Sequence, residues 1–456
     1  MQRVKILGGI LTGGQWRALA RIAAEFTPGS PLHLSTRQDI ELHDVRAERV
    51  AAVQQAITEA GLTGLGACGD TVRNITVCPC SGVRGGAPDL VGVAWEIRRM
   101  LEATDGIFEL PRKFKISLSA CSQACGQPWI NDLGLAAVPR DGRWGFRVVA
   151  GGSLGPRPGV GMELFGWLAA ADVMPLVLAA IEVFNMHGDR KHRQKARLRH
   201  VRERLGNQAF AGLVGESFDR LRNSRTWPRI ELQPPSVAFD AEARLTFPNG
   251  DVSPEAAIAL GELADRDDLR VRIDTHHRVA VFGRDADVLR DAIARQPVLH
   301  AAARPQATIV ACPGRRWCKR GLTDTNGMAE RIRRELGNGL RPPTAAGTES
   351  PAPAIGRAPH EPGQRLPSEI TVCISGCPNN CAQSAVAPIG LVGGLAGGRE
   401  VYNVLVGGGF GRSDKLAVPV ASRLVPDSVI DTMARNCLRD RLEADGTARV
   451  ARPADV

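Results

Sequence analysis

Four cysteines in the second half of the chain have a spacing that suits an iron–sulfur cluster. Five residues separate Cys312 from Cys318, and 59 residues after Cys318 come Cys377 and then Cys381, with three residues between them. A [4Fe–4S] cluster requires four thiolates, one for each iron. Structural zinc sites usually pair ligands two to four residues apart, so the first spacing fits zinc poorly. We therefore predict a cluster here, with Cys373, four residues before Cys377, as a further candidate ligand that spacing alone leaves open.

Two lysines in the first half are spaced to hold a small anion. If residues 110–116 form a strand, Lys113 and Lys115 point to one face while Phe114 turns into the core on the other. Two ammonium groups on one face repel each other unless solvent or an anion lies between them. At 4 Å one charge pair is worth about 1 kcal/mol in water and about 4 kcal/mol at a protein-like dielectric. The pair indicates either a solvated edge strand or an anion-binding site.

A second set of cysteines occurs in the first half, at Cys78, Cys80, Cys121 and Cys125. One interpretation is a second metal site at the matching position of this half. The single residue between Cys78 and Cys80 would strain a cubane, so we prefer the other interpretation, in which these loops serve the substrate.

Composition limits the classes of function. The 456 residues leave room for two or three domains, and 43% hydrophobic with 23% charged residues is ordinary for a globular protein. We see no apolar run of the roughly 18 residues that a membrane span needs and no signal-peptide layout, and we expect a cytoplasmic protein without a membrane partner. The net charge of +10, with dispersed basic residues and one tyrosine, argues against nucleic-acid binding and suits an acidic partner or an anionic cofactor.

The elements that carry these residues point to an internally duplicated α+β protein. Each half opens with a turn, a Ser/Thr cap, a helix, a strand and a second helix, the succession of a ferredoxin-like unit. The predicted elements are helices over 15–26 and 47–60 with a strand over 32–42, then helices over 255–264 and 286–295 with a strand over 269–273.

Later segments repeat as well. Residues 115–135 are similar to residues 370–391, and both stretches are followed by a glycine-rich strand end. A repeat of about 230 residues indicates a two-fold duplication rather than a solenoid. We expect a pseudo-two-fold fold with a cofactor at the junction of its halves.

The cysteine signature resembles that of the sirohaem-dependent sulfite and nitrite reductases. It reads Ala-Cys-Pro-Gly-Arg-Arg-Trp-Cys over 311–318 and Ser-Gly-Cys-Pro-Asn-Asn-Cys-Ala over 375–382. The resemblance covers nearly the whole chain and includes the duplication. It implies that the four cysteines hold a [4Fe–4S] cluster, that Cys381 also bridges to the sirohaem iron, and that Asn379 touches the macrocycle. It also selects Cys377 and Cys381 over Cys373, which we interpret as an apolar strand residue.

The same resemblance implies cationic partners for substrate and cofactor. The catalytic, anion-contacting residues would be Arg3, Arg73, Lys113 and Lys115. The partners of the sirohaem carboxylates would be Arg37, His43, Arg112, Arg193 and Arg197. The chain departs from the family at His33, where an arginine is common, and at Glu41, where a glutamine is common, and both changes lower the positive charge.

The resemblance also divides the chain into four segments. Residues 1–68 and 231–300 would be the ferredoxin-like half-domains, 69–230 the first sirohaem- and substrate-binding α/β domain, and 301–456 the cluster- and sirohaem-binding α/β domain. Residues 340–367 are rich in proline, alanine and glycine, which predicts a flexible loop.

The implied activity is the six-electron reduction of a small oxyanion, most readily sulfite to sulfide. Nitrite reduction, a cluster-containing oxygenase of corrinoid synthesis and a non-catalytic haem-binding subunit are the alternatives. Lys115 favours sulfite, because family members that prefer nitrite commonly carry asparagine at this position. The sequence has no flavin or nicotinamide fingerprint, so we expect an external acidic donor such as a ferredoxin or a flavoprotein.

Overall fold

The computed structural model describes residues 1–304, 307–339 and 371–433. The predicted loop over 340–367 lies outside the described residues. The α-helices are α1 (Gly13–Phe26), α2 (Val50–Glu59), α3 (Val91–Glu102), α4 (Val173–His187), α5 (Leu198–Leu205), α6 (Asn207–Arg222), α7 (Pro254–Ala264), α8 (Ala286–Ala294), α9 (Pro297–Ala303), α10 (Gly314–Trp317) and α11 (Thr325–Gly339). The strands are β1 (Gln2–Val4), β2 (Leu32–Leu34), β3 (Ile40–Leu42), β4 (Thr76–Val77), β5 (Ile116–Ser119), β6 (Leu133–Arg140), β7 (Arg143–Ala150), β8 (Met162–Ala169), β9 (Ala241–Thr246), β10 (Asp251–Val252), β11 (Leu269–Ile273), β12 (Arg278–Gly283), β13 (Thr308–Ala311), β14 (Thr371–Ser375), β15 (Ile389–Ala396), β16 (Arg399–Val406) and β17 (Val418–Leu424).

The two ferredoxin-like units share one core. In the first unit β1, β3 and β2 form an antiparallel sheet, and β10 of the second unit extends it by pairing with β2. In the second unit β11, β12 and β9 form another antiparallel sheet. Side chains of both units join in a single hydrophobic cluster, and α1 packs against α7. The duplicated units are therefore interlocked.

The helices α1 and α7 begin at the caps that the sequence predicts. The hydroxyl of Thr12 accepts a hydrogen bond from the Gln15 N–H, and the hydroxyl of Ser253 accepts one from the Ala256 N–H. Gly13 lets the two helices approach closely, because a Cβ at this position would lie 2.5 Å from the carbonyl oxygen of Gly261.

Two five-stranded sheets repeat one plan. Their strand orders are β4-β5-β6-β7-β8 and β13-β14-β15-β16-β17, with the first three strands parallel and the rest antiparallel. Even the irregularity repeats: the register of β7 on β8 shifts at Val148, and that of β16 on β17 shifts at Val404, 256 residues later. The predicted duplicated, pseudo-two-fold α+β fold is confirmed.

One described helix reaches the length that the sequence analysis set for a membrane span. Residues 170–187, which include α4, have a mean hydropathy of 1.3 over 18 residues, and 61% of that stretch is buried inside the protein. The helix lies in the core beneath the first five-stranded sheet, where it packs against α6. A helix that is mostly buried in this way is typical of a protein core.

Two predicted strands are wrong. The stretch over 32–42 is not one strand but a hairpin of β2 and β3, because Gln38 adopts a left-handed conformation with φ of 61°. The Gln38 side chain holds this turn by donating to the carbonyl oxygens of Val77, at 2.8 Å, and Ile273, at 2.7 Å. The strand β5 begins only after Lys115, so Lys113 and Lys115 lie in the segment before it, although Phe114 is buried as predicted.

Candidate functional site

The four predicted cluster cysteines lie on two loops that leave neighbouring strands. Cys312 directly follows β13, and Cys377 comes two residues after β14, which pairs with β13 in parallel. Because parallel strands end at the same sheet edge, the loops meet there. Cys312 and Cys377 are buried, whereas Cys318 and Cys381 are exposed.

The four thiols interact electrostatically. Burial raises the pKa of Cys312 to about 12, and the neighbouring thiol of Cys381 adds to this effect. Burial also raises the pKa of Cys377, as do the thiols of Cys381 and Cys318. Cys373 lies inside β14, and burial is the cause of its raised pKa. The thiols of Cys312, Cys318, Cys377 and Cys381 thus lie near enough to influence one another, while Cys373 is fully buried within β14.

Residues of the first half hold the Cys377–Cys381 loop. The Thr36 hydroxyl donates to the carbonyl oxygen of Cys381 at 3.0 Å, and the Asn380 amide donates to the carbonyl oxygen of Gly155 at 2.9 Å. The Asn379 side chain hydrogen-bonds the Cys377 thiol. The candidate centre therefore lies at the junction of the two halves, as the duplication predicts.

Lys113 and Lys115 lie within electrostatic range of the Cys381 thiol. Burial and the charge of Arg197 lower the pKa of Lys113 to about 8. Burial, Arg37 and Lys113 lower the pKa of Lys115 well below its usual range. Neither ammonium group has a carboxylate or hydrogen-bond partner among the described residues. The site therefore holds positive charge that the described protein does not neutralise.

Arg37 and Arg197 flank these lysines. The Arg37 guanidinium donates from Nη1 to the Asn131 side-chain oxygen at 2.7 Å and from Nη2 to the Ile116 carbonyl at 3.1 Å. Burial and nearby arginines lower the pKa of Arg37 to about 10. Arg197 forms a bidentate pair with the fully buried Asp132, at 2.7 and 3.2 Å. Arg37 and Arg197 are thus fixed in place before any ligand binds.

Arg3 and Arg73 lie together at one side of the site, where both donate to the carbonyl oxygen of Ala67, at 3.2 and 2.6 Å. Arg3 also binds Glu41, with its Nε 2.9 Å from Oε1. Burial alone would raise the pKa of Glu41, but Arg3 and the hydrogen bond with His43 hold it below its usual range. Much of the Arg3 charge is therefore neutralised, while Arg73 has no carboxylate pair among the described residues.

Arg112 and Arg193 share one counter-ion. Arg112 Nη1 lies 2.9 Å from Asp70 Oδ1, and Arg193 binds both oxygens of Asp70. Burial would raise the pKa of Asp70, but the hydrogen bonds from Arg193 and Arg112 lower it. This pair places two guanidinium groups side by side, the arrangement expected of a carboxylate-binding patch.

His43 lies apart from these arginines and lysines. It is 2% exposed, its Nε2 lies 3.3 Å from Glu41 Oε2, and its ring stacks on Trp317 with centroids 4.4 Å apart and planes 6° from parallel. Trp317 belongs to the Cys312–Cys318 loop, so His43 supports that loop. A role of His43 as a partner of the sirohaem carboxylates stays a prediction.

The sequence analysis missed the acidic residues that organise the cations. Asp132 accepts the Lys115 backbone N–H at 2.8 Å as well as the Arg197 side chain, and Asp70 joins two arginines. Both aspartates lie at ends of loops, Asp132 one residue before β6. A carboxylate immediately before a buried parallel strand is the signal that could have found Asp132.

Comparison with known proteins gives the class. The model of the nitrite and sulphite reductase 4Fe-4S domain matches residues 68–221 and 305–437. The model of the nitrite/sulfite reductase ferredoxin-like half domain matches residues 1–60. The cysteine loops, the cationic pocket and both five-stranded sheets lie within the matched stretches.

Curated relatives align over nearly the whole chain. The assimilatory ferredoxin-dependent nitrite reductase of Haloferax mediterranei is 27% identical over 95% of this chain and 78% of its own length. The sulfite reductase [ferredoxin] of Mycobacterium tuberculosis is 26% identical over 98% of this chain and 81% of its own length. The solved structure of the Mycobacterium tuberculosis NirA protein superimposes with a TM-score of 0.78 at 23% identity, over 99% of this chain and 82% of that one. The likeness to this solved structure supports the fold.

The fold and the site together define an oxidoreductase whose two halves repeat one arrangement of a ferredoxin-like unit and a five-stranded sheet. The chain belongs to the nitrite and sulfite reductase family, whose cofactors are a [4Fe–4S] cluster and sirohaem.

The residues present fit both cofactors. Thiols converge from two loops at one sheet edge, as a cluster with four cysteine ligands needs. The cationic pocket beside them includes two lysines without described counter-ions and buried guanidinium nitrogens without hydrogen-bond partners, Nε of Arg37 and Nε of Arg73. Such a pocket suits a macrocycle rich in carboxylates and a small anion. When bound, the two cofactors supply electrons to the substrate.

Proposed function

We propose that this protein reduces sulfite to sulfide with six electrons and turns over nitrite less efficiently. The observation that carries the proposal is the pair Lys113 and Lys115, two buried ammonium groups that have no described counter-ion and lie within electrostatic range of Cys381. An anion placed between them relieves their mutual repulsion. A dianion relieves more of it than a monoanion does, which favours sulfite near neutral pH.

The two lysines would also handle protons. With a pKa of about 8, Lys113 is charged at neutral pH and close to the point at which it can release its proton. Burial, Arg37 and Lys113 also lower the pKa of Lys115, and a bound anion would act in the opposite direction by favouring the ammonium form. Substrate binding would therefore stabilise the charge of both lysines beside the reacting oxygen atoms.

We assign the remaining residues by position. Cys312, Cys318, Cys377 and Cys381 would hold the cluster, with Cys381 as the bridge to sirohaem and Asn379 against the macrocycle. Arg73 and Arg3 would complete the anion site. Arg3 would contribute less to anion binding, because Glu41 neutralises much of its charge. The cations available to the sirohaem carboxylates are Arg37, Arg112, Arg193 and Arg197.

We propose an acidic ferredoxin as the electron donor. The aligned relatives include proteins named as ferredoxin-dependent reductases. The net charge of +10 on this chain supports an acidic docking partner. A cytoplasmic location would accord with such a donor.

The test is steady-state turnover with a dye donor, measured separately with sulfite and nitrite. We expect a higher kcat/KM for sulfite. Efficient reduction of nitrite with barely detectable reduction of sulfite would overturn the choice of substrate and leave the family assignment intact.

A further inference from the structure

The first half holds four thiols at the place that matches the cluster loops of the second half. Cys78 directly follows β4 and Cys121 comes two residues after β5, the same positions that Cys312 and Cys377 take relative to β13 and β14. Cys121 and Cys377 are 256 residues apart, as are Cys125 and Cys381.

Hydrogen bonds around the thiols repeat too. The Ala120 N–H donates to the Cys78 sulfur at 2.9 Å, and the Gly376 N–H donates to the Cys312 sulfur at 3.2 Å. Backbone N–H groups that point at sulfur stabilise thiolates. The two cysteine loops of the first half therefore have the same backbone-to-sulfur hydrogen bonds as the predicted cluster loops.

The sulfurs of the first-half set are close together. Those of Cys78 and Cys80 are 3.5 Å apart, and those of Cys78, Cys80 and Cys121 all lie within 4.8 Å of one another. Cys125 lies four residues after Cys121 on the same loop, close enough to influence the thiols of Cys121 and Cys80, but outside this group of three sulfurs. A tetrahedral ion with metal–sulfur bonds of about 2.3 Å separates its sulfurs by about 3.8 Å. The spacing of the three grouped sulfurs fits one ion, with Cys125 as the nearby fourth ligand.

The second cysteine of each set, Cys318 in one half and Cys80 in the other, explains why the two sites differ. In the second half Cys318 comes six residues after Cys312, whereas in the first half Cys80 comes two residues after Cys78. The short step places the Cys80 sulfur directly beside that of Cys78 and contracts the set. A cubane needs its thiolates farther apart, because each one binds a different iron. Among the described residues, Cys78, Cys80 and Cys121 are the one group of possible ligands whose sulfurs all lie within 4.8 Å of one another.

The surroundings are those of a closed site. Cys78 and Cys80 are buried, and Cys121 and Cys125 are half-buried. A metal ion that binds these thiols displaces their protons.

We propose that Cys78, Cys80, Cys121 and Cys125 bind one soft divalent metal ion, zinc or iron(II), in a tetrahedral thiolate site separate from the [4Fe–4S] cluster. Soft thiolate ligands in tetrahedral geometry select these metals. The ion ties the loop after β4 to the loop after β5. The second loop leads to Gln127, whose side-chain amide pairs reciprocally with that of Gln383, at 2.6 and 2.8 Å. The metal therefore stabilises the first-half side of the junction.

The test measures metal on the whole protein, purified anaerobically. We expect one zinc per chain, or one iron beyond those of the cluster and sirohaem, without additional acid-labile sulfide. X-ray absorption at the edge of that metal should show four sulfur neighbours at about 2.3 Å. Zinc absorption does not overlap with that of the cluster iron, and an additional iron is resolved by its high-spin Mössbauer signal. Neither measurement depends on the substrate that the enzyme prefers.

Variants separate the two sites. Cys80→Ser and Cys125→Ser should lose the additional ion and keep the iron and sulfide of the second half, whereas Cys68→Ser, at an exposed cysteine of the same half, should keep both. The wild-type measurement stands even if a variant fails to fold. The proposal is overturned by wild-type protein without the additional ion, by extra sulfide that indicates a second cluster, or by disulfides among the four cysteines.

Discussion

Lys115 keeps its amine in a place where burial, Arg37 and Lys113 all oppose its charge. A group held against three unfavourable influences contributes most when an anion arrives to compensate them. We therefore expect the contribution of Lys115 to the binding free energy to depend on the charge of the ligand. A substitution at this residue should alter the choice of substrate.

Replacing Lys115 by asparagine should shift the ratio of kcat/KM for sulfite over nitrite toward nitrite. One charge pair at contact is worth a few kcal/mol at an effective dielectric near 20, so the shift should reach about a hundredfold. Dye-coupled turnover of both substrates measures it. The matched control is Lys191→Asn, at an exposed lysine remote from the anion site in sequence. An unchanged ratio in Lys115→Asn contradicts the prediction.

Lys113 should make anion binding depend on pH. Its pKa, lowered to about 8 by burial and by Arg197, means that the ammonium is charged at pH 7 and is lost as the pH rises through 8. The KM for nitrite, which keeps one negative charge over this range, should rise by about tenfold between pH 7 and pH 9. Lys113→Arg keeps the charge and should flatten the profile. If the two profiles superimpose, Lys113 does not control binding.

At the scale of the elements, the loops after β13 and β14 should determine whether the cluster forms, because they carry the four predicted ligands. Cys318 is exposed, so Cys318→Ser removes a predicted ligand with little cost to core packing. This variant should lose the visible absorption of the cluster and most of its about four irons and four sulfides per chain. Cys373→Ala, inside β14, is the control and should keep them. Normal iron and sulfide in variants of all four predicted ligands would show that the cluster lies elsewhere.

The elements also show what the sequence could and could not predict. Helices α1 and α7 were predictable because their caps and apolar faces are local signals, and β11 was found over its whole length. The hairpin of β2 and β3 was not, since its turn depends on Gln38 hydrogen-bonding to Val77 and Ile273, which are distant in sequence.

Across the whole molecule, the excess of positive charge should govern the meeting with an acidic donor. The Debye length falls from about 10 Å at 0.1 M salt to 3 Å at 1 M, so ferredoxin-dependent turnover should slow by about tenfold or more as salt rises. Turnover with a small dye donor serves as the control and should not fall in parallel. Ferredoxin-dependent rates that are independent of salt would remove the electrostatic argument.

The candidate site was predictable only in part at this scale. Motifs pointed to Lys113, Lys115 and the four predicted cluster cysteines, because each motif is contiguous in sequence. The counter-ions were not predictable, since the pairing of Asp70 with Arg193 joins residues 123 positions apart. The short sulfur–sulfur distances in the first-half set were not predictable for the same reason, because the sheet sets the distance between Cys80 and Cys121.

The reciprocal amide pair of Gln127 and Gln383 has a consequence for the history of the molecule. The two residues are 256 positions apart, both have left-handed backbones, with φ of 60° and 65°, and each side chain donates to the other. In a homodimer of half-length chains, this contact would be one glutamine meeting its own copy across an isologous interface. The single chain therefore reproduces the symmetry of such a dimer, in which the cysteine loop pairs of the two halves occupy equivalent places.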